Sequence, residues 1–362
     1  MLIERHGGDV ERFARLCGRP AETLLDFSSN INPLGMPDAA RNALIAAVDT
    51  LGRYPDPTCA ELRRVIGERL DVDPARIIAG NGAEQLIWWL PRVLESRRVV
   101  VTAPCYLDYE RSAQVWSVPV AVLDLIEEEC YRLQPQRLAS LVRDGDLVWI
   151  GQPNNPTGTL VDAASLRQVV AAHPMVDWAI DEAFIDFVEQ GETAVGWGLP
   201  NLVVLRSMTK FYALAGLRLG YAVTTTARAA QYARLLPEWS VNLFASTAGI
   251  AVLEDARRQE FVTRTLSLVS SERQRLSQRL RDLGCHVYEG AANYLLLRLR
   301  DDHPPGAGVA RRLLAEYGIA VRVCDNYRAL DTRHLRIAVR NATDNQELLA
   351  ALAELFRAAP AG

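Results

Sequence analysis

No stretch of the 362-residue sequence approaches the roughly 18 consecutive apolar residues that a membrane span needs, and the opening Met1-Leu2-Ile3-Glu4-Arg5-His6 lacks the basic and then apolar pattern of a secretory leader. The expected location is therefore the cytoplasm, away from any membrane. Long basic runs are missing too. With 40 basic residues against 44 acidic ones and a net charge of −4, the chain lacks the concentrated positive face that nucleic acid requires. The six cysteines, at 17, 59, 105, 130, 285 and 324, form no C-x-x-C pair, so free thiols are expected rather than a disulfide framework or a zinc site. The five histidines (6, 173, 286, 303 and 334) show no ligand spacing either, and no metal is expected. Internal repeats and low-complexity tracts are absent.

What is present is an apolar fraction of 49%, enough for a large core and two unequal domains. Between about Ile77 and Val223, short apolar runs alternate with amphipathic stretches: Arg98 to Val101, Val118 to Val122, Leu147 to Ile150, Val176 to Ile180 and Leu202 to Leu205. Continuous apolar strands separated by helices predict an α/β domain whose mainly parallel sheet is covered on both faces. Ligands of such sheets sit beyond the carboxyl ends of the strands. Asn154, Asp181 and Ser207 each fall just after one of the runs. From about Ala245 a long charged helical stretch runs to Leu283. Two strand-like runs follow, then a helix near Gly308 to Tyr317, strands at Ile319 to Val323 and Leu335 to Val339, and a closing helix, which together predict a smaller α+β domain. The expected division is an arm over residues 1–37, a large domain over 38–244 and a small one over 245–362. The arm is rich in Gly, Asn and Pro and is expected to drape across the site.

The chemistry concentrates around Lys210, in Ser207-Met208-Thr209-Lys210, with Arg218 eight residues on in Gly216-Leu217-Arg218-Leu219-Gly220-Tyr221. An amine flanked by the hydroxyls of Ser207 and Thr209, with a guanidinium on the next strand, suits an aldehyde cofactor that carries a phosphate dianion. That points to pyridoxal 5'-phosphate. Asp181, in Asp181-Glu182-Ala183-Phe184 after an apolar run, can keep a pyridine nitrogen protonated; a helix cap would also place a carboxylate at a strand end. Asn81-Gly82-Ala83-Glu84-Gln85 reads as a glycine turn into a helix N-terminus, a phosphate cradle of free amides. Tyr106 is placed to stack on the ring, although an ordinary half-buried tyrosine fits the same position. Arg322 and Arg336 each interrupt an apolar strand-like run, which suits a directed anion ligand and an exposed strand face equally. Arg5-His6-Gly7-Gly8 reads by itself as a flexible tip.

Together these motifs resemble the fold-type-I pyridoxal-phosphate enzymes of the aminotransferase superfamily, in the branch that holds histidinol-phosphate aminotransferases and threonine-phosphate decarboxylases of cobalamin synthesis. The decarboxylase pattern covers nearly the whole chain. It is carried by His6-Gly7-Gly8-Asp9, Asp26-Phe27-Ser28-Ser29-Asn30-Ile31-Asn32-Pro33, Arg53-Tyr54-Pro55, Arg206-Ser207-Met208-Thr209-Lys210, Trp239-Ser240-Val241-Asn242 and Asn293-Tyr294-Leu295-Leu296-Leu297-Arg298. The resemblance implies that Lys210 is the Schiff-base lysine, that Asp181 faces the pyridine nitrogen, and that Asn154 lies near the ring hydroxyl and the substrate carboxylate. It also implies that His6, Gly7, Asn30, Arg322 and Arg336 bind phosphothreonine, and that Tyr54 reaches the cofactor phosphate of a neighbouring subunit in a homodimer. Decarboxylation of L-threonine O-3-phosphate is the implied reaction, with transfer of the amino group of histidinol phosphate or a related amino acid as the alternative. Histidinol-phosphate aminotransferases usually carry tyrosine where this chain has Phe184, which favours the decarboxylase pattern.

Overall fold

The computed structural model describes residues 6–357. The first residues of the N-terminal segment, including Arg5, and residues 358–362 lie outside the described residues. A short strand β1 (Leu25–Asp26) precedes the main sheet, which comprises β2 (Ile77–Asn81), β3 (Arg98–Ala103), β4 (Val120–Asp124), β5 (Asp146–Gly151), β6 (Asp177–Asp181), β7 (Leu202–Ser207) and β8 (Leu219–Val223). Their order is β2-β8-β7-β6-β5-β3-β4, and every pair is parallel except those made by β8, which runs antiparallel to β2 and β7.

Side chains alternate faces along a strand, and here both faces are buried. Val100, Val148, Ile150, Ile180 and Val204 point into one core; Val99, Val101, Leu147, Trp149, Val203 and Leu205 point into the other. Each such side chain stabilises the sheet by roughly 1.5–3 kcal/mol, which is why the central strands read as uninterrupted apolar runs.

A second sheet is built from β9 (His286–Val287), β10 (Tyr294–Arg298), β12 (Arg322–Val323) and β13 (His334–Ala338), in the order β12-β13-β10-β9 and antiparallel throughout; β11 (Ile319–Ala320) stands apart from it. Leu295, Leu297, Leu335, Ile337, Leu348 and Leu352 form its own core. The run Ile319 to Val323 is thus two strands, not one. β11 pairs in parallel with β1, Leu25 opposite Ile319, and the Phe27 amide donates to the Ala320 carbonyl at 2.8 Å while the Phe27 carbonyl accepts from the Ala338 amide at 2.9 Å. The N-terminal segment is therefore stitched to the small sheet by backbone hydrogen bonds. It also contains a helix, Val10–Cys17, started by the Asp9 carboxylate on the Arg12 amide and ended by Gly18 in the left-handed region (φ 68°).

The helical stretch expected from Ala245 to Leu283 is two helices, Leu243–Glu254 and Arg258–Asp282. Asp255 takes an extended conformation between them, and its side chain accepts from the Arg257 amide at 3.0 Å, a local bond that competes with helix continuation. Ala245, Ala248 and Val252 of the first helix pack into the main core; the second helix adds Val269 to that core and Leu276 and Leu280 to the small one. No helix among the described residues is long and apolar enough to cross a membrane.

Candidate active site

A cavity of about 260 Å³ opens where the carboxyl ends of β6 and β7 meet the first turns of the helices Gly82–Val93 and Leu107–Val115. Asp181 ends β6 and Glu182 follows it, so the two carboxylates take opposite faces. Asp181 lines the cavity. Glu182 turns into the protein, 3.2 Å from Arg206, and accepts from the Thr193 hydroxyl and the Ala194 amide, each at 2.6 Å. Asp181 is only 8% exposed. Its oxygens accept from the Tyr109 hydroxyl at 2.7 Å and the Ala183 amide at 3.0 Å. Burial raises its pKa above the usual carboxylate range, against the pull of those two donors and of Lys210.

Lys210 sits in the short helix Met208–Phe211 that follows β7 and also lines the cavity. Burial, then the positive charges of Arg218 and Arg336, lower its amine to about 8. It is the only lysine in the sequence; every other basic residue among the 40 is arginine.

Ser207, Thr209, Ala83, Glu84 and Arg218 line one side of the cavity. The Ser207 and Thr209 hydroxyls are 2.7 Å apart. Arg218 was expected within a strand; instead it immediately precedes β8, in the left-handed region at φ 57°. That conformation is uncommon for a residue with a side chain and clusters at functional sites. The Arg218 carbonyl accepts from the Gly82 amide at 2.8 Å. Gly82 stands at φ 71°, a conformation that favours glycine, and a Cβ there would stand 2.8 Å from the Arg218 guanidinium and push it aside. With the Gly82 amide already used, the amides of Ala83 and Glu84 remain to face an anion at the helix start. The Glu84 carboxylate lies 3.2 Å from the Arg218 guanidinium.

Tyr106 and His6 line the cavity with ring centroids 5.5 Å apart. The His6 ring lies 3.3 Å from the fully buried Asp108, which also holds Arg111 at 2.5 Å. Gly7 packs so closely on Ser28 that a Cβ would stand 2.0 Å from the Ser28 carbonyl oxygen. That oxygen accepts from the Arg336 guanidinium at 2.7 Å, and Arg336 also donates to Asn155 Oδ1 at 2.6 Å and lies 5.5 Å over the Tyr294 ring. Arg322 stands opposite Arg336 in the sheet register; both are buried, Arg322 donating to Val323 and to Asn326 and lying over Tyr327. The Phe184 ring, on the cavity wall, meets Tyr294 edge-on at 5.0 Å.

Gly7, Asn30, Gly82, Asn154, Arg322 and Arg336 do not line this cavity, and Tyr54 is 82% exposed with its ring 4.8 Å from that of Trp239. Asn30 is buried, its carbonyl accepting from Asn293. Asn154 spends its amide on the Pro104 carbonyl and the Thr157 hydroxyl. Its neighbour Asn155 is the asparagine on the cavity wall. Sequence reading missed Asn155, Tyr109 and Asp108. The sequence does hold one further signal for Lys210, its solitary status.

These residues fit pyridoxal phosphate. A lone amine with a lowered pKa, a buried carboxylate, and an arginine beside a hydroxyl pair and a helix start share one cavity. The glycine at 82 leaves the space that a side chain would fill. Among the described residues no group of three or more His, Cys, Asp and Glu is placed to hold a metal ion.

Comparison with known proteins agrees with this chemistry. The profile of aminotransferase class I and II matches residues 22–355. The threonine-phosphate decarboxylase of Salmonella typhimurium is 38% identical, with 96% of this chain and 95% of that protein covered. A histidinol-phosphate aminotransferase of Ralstonia nicotianae is 32% identical over 96% of this chain and 92% of its own length. The crystal structure of the histidinol-phosphate aminotransferase from Clostridium acetobutylicum superposes with a TM-score of 0.85 at 32% identity, covering 92% of this chain and 99% of that one. The chain belongs to the aminotransferase class I and II family, and it is an enzyme that works with pyridoxal 5'-phosphate.

Proposed function

We propose that this enzyme decarboxylates L-threonine O-3-phosphate to (R)-1-amino-2-propanol phosphate, in the cytoplasm, supplying an amino-alcohol phosphate for cobalamin synthesis. In this reading residues 1–37 are the arm that closes the site, 38–244 hold the cofactor and 245–362 supply the arginines that receive the substrate. The observation that carries it is the grouping of Arg336, Asn155 and Ser28 beside a cavity whose wall includes His6, in a chain 38% identical to a threonine-phosphate decarboxylase along almost its full length.

When bound, pyridoxal phosphate offers an electron sink to whichever bond at Cα stands perpendicular to its ring. The protein's task is then orientation. Arg336 and Arg322, with His6, Gly7 and Asn30, would hold the substrate phosphate and so fix the orientation of the carboxylate that is to be lost as carbon dioxide. Asn155, on the cavity wall, would take the role toward the ring hydroxyl that the sequence assigned to Asn154. Asp181 keeps a proton on the ring nitrogen. Lys210 in its ammonium form would donate the proton that replaces the departing carboxylate on Cα. Ser207, Thr209, Arg218 and the amides of Ala83 and Glu84 hold the cofactor phosphate.

A homodimer completes the site by bringing Tyr54 to the partner's cofactor phosphate. In support, Ile45, Val48, Leu51, Tyr54 and Trp239 are exposed apolar side chains. A groove of about 510 Å³ that includes Pro57, Pro237 and Val241 opens close to them in the sequence. Patches of this kind mark interfaces.

A second reading, transfer of the amino group from histidinol phosphate, is favoured by the relatives of that name at 32% identity. One experiment separates the two. On O-phosphothreonine the enzyme is expected to release one carbon dioxide per substrate consumed, without any 2-oxo acid. Stoichiometric conversion of the cofactor to its amine form without gas, reversed by 2-oxoglutarate, would instead establish the aminotransferase.

A further inference from the structure

We infer that Tyr109, which no motif singled out, is a positioning residue for the cofactor: its hydroxyl fixes the Asp181 carboxylate so that the remaining acceptor positions face the ring nitrogen. Tyr109 is 2% exposed and projects from the helix Leu107–Val115. Its ring lies flat on Trp149, with centroids 4.6 Å apart and planes 3° apart, and meets Tyr106 edge-on at 5.5 Å. Two aromatic neighbours thus leave the ring no freedom to swing. The hydroxyl donates to Asp181 Oδ2 at 2.7 Å, and no other partner for it is found among the described residues.

An ionised carboxylate has about four acceptor positions. The Tyr109 hydroxyl takes one on Oδ2, and the Ala183 amide takes one on Oδ1 at 3.0 Å. One donor from a helix and one from the backbone define the carboxylate plane. Asp181 lines the cavity, so the unused positions are those available to a cationic ring N–H. A single donor would leave the group free to rotate about its Cβ–Cγ bond; a second donor, the turn amide of Ala183, preorganises it. The same hydroxyl also offsets part of the cost of burying the charge.

The inference rests on the assignment of Asp181 to the pyridine nitrogen, and a double-mutant cycle tests the two separately. Cofactor dissociation constants and absorption spectra are measured for wild type, Tyr109→Phe, Asp181→Asn and the double variant, together with the melting temperature of each cofactor-free protein. Tyr109→Phe keeps the ring contacts and removes the donor, and is expected to weaken cofactor binding roughly tenfold, the scale of one hydrogen bond to a charged group. It should lower kcat without raising KM for substrate. In the Asp181→Asn background the same change should alter affinity less than twofold, because a neutral amide, though it can still accept from the hydroxyl, no longer presents a charge to the ring nitrogen. An equal effect in both backgrounds, or none in either, overturns the Tyr109 inference. If Asp181→Asn alone leaves affinity and spectrum untouched, the assignment of Asp181 itself falls. The cycle repeated with 3-fluorotyrosine at position 109 serves if the phenylalanine protein does not fold.

Discussion

Lys210→Ala enzyme is expected to lose turnover by on the order of 10⁴-fold, the scale on which covalent catalytic groups act, and to lose the visible absorption that the cofactor acquires when it condenses with an amine. Two features make the effect large. The chain holds no second lysine that could substitute, and burial with two nearby guanidinium groups lowers the Lys210 amine to about 8, against roughly 10.4 for an exposed lysine. The neutral amine is the nucleophile, and it is the majority form above pH 8. Capture of added pyridoxal phosphate by the cofactor-free enzyme should therefore quicken as pH rises to about 8 and then level off. Capture that kept rising about tenfold per pH unit towards pH 10 would mean that the amine is unperturbed. Stopped-flow absorbance reads this directly.

Arg336→Ala is expected to raise KM for O-phosphothreonine about 30-fold or more, since truncating one partner of a buried, charge-assisted contact costs roughly 2–5 kcal/mol. The guanidinium is nearly inaccessible and is aimed by Asn155 Oδ1, by the Ser28 carbonyl and by the Tyr294 face. Such a group offers two phosphate oxygens a pair of donors in a fixed fork. Arg336→Lys should recover little, because an ammonium cannot bridge two acceptors in the same plane. Removing the guanidinium should also shift the partition of products, with more conversion of the cofactor to its amine form, because the substrate carboxylate is no longer held in one orientation. An unchanged KM in the alanine enzyme would remove Arg336 from substrate binding.

The central strands and the position of the site beyond their ends were legible in the chain because burial on both faces writes itself as apolar runs, and Asp181, Ser207 and Lys210 follow those runs directly. What was illegible depends on contacts distant in sequence. Leu25 pairs with Ile319, and nothing local to either segment announces it. Tyr109 meets Asp181 from a helix 72 residues away, and within its helix it resembles any core aromatic. That Asn155 lines the cavity while Asn154 bonds to the Pro104 carbonyl and the Thr157 hydroxyl depends on contacts the local sequence does not show. Arg218 was expected on a strand because the flanking Leu-Arg-Leu-Gly-Tyr alternates; the left-handed turn that holds it shows only once the Gly82 amide is seen to need its carbonyl. The helix break at Asp255 and the helix Val10–Cys17 were closer to the surface of the sequence, since Asp255, Asp9 and Gly18 are residues that start and stop helices.

The most direct measurement is chemical. The purified enzyme, loaded with pyridoxal phosphate, is reduced with borohydride, digested and mapped by mass spectrometry. One phosphopyridoxyl group per chain is expected, carried on the ε-nitrogen of Lys210 and absent from the Lys210→Ala protein. A label found on the N-terminal amine instead, or no stable label at all, would contradict it.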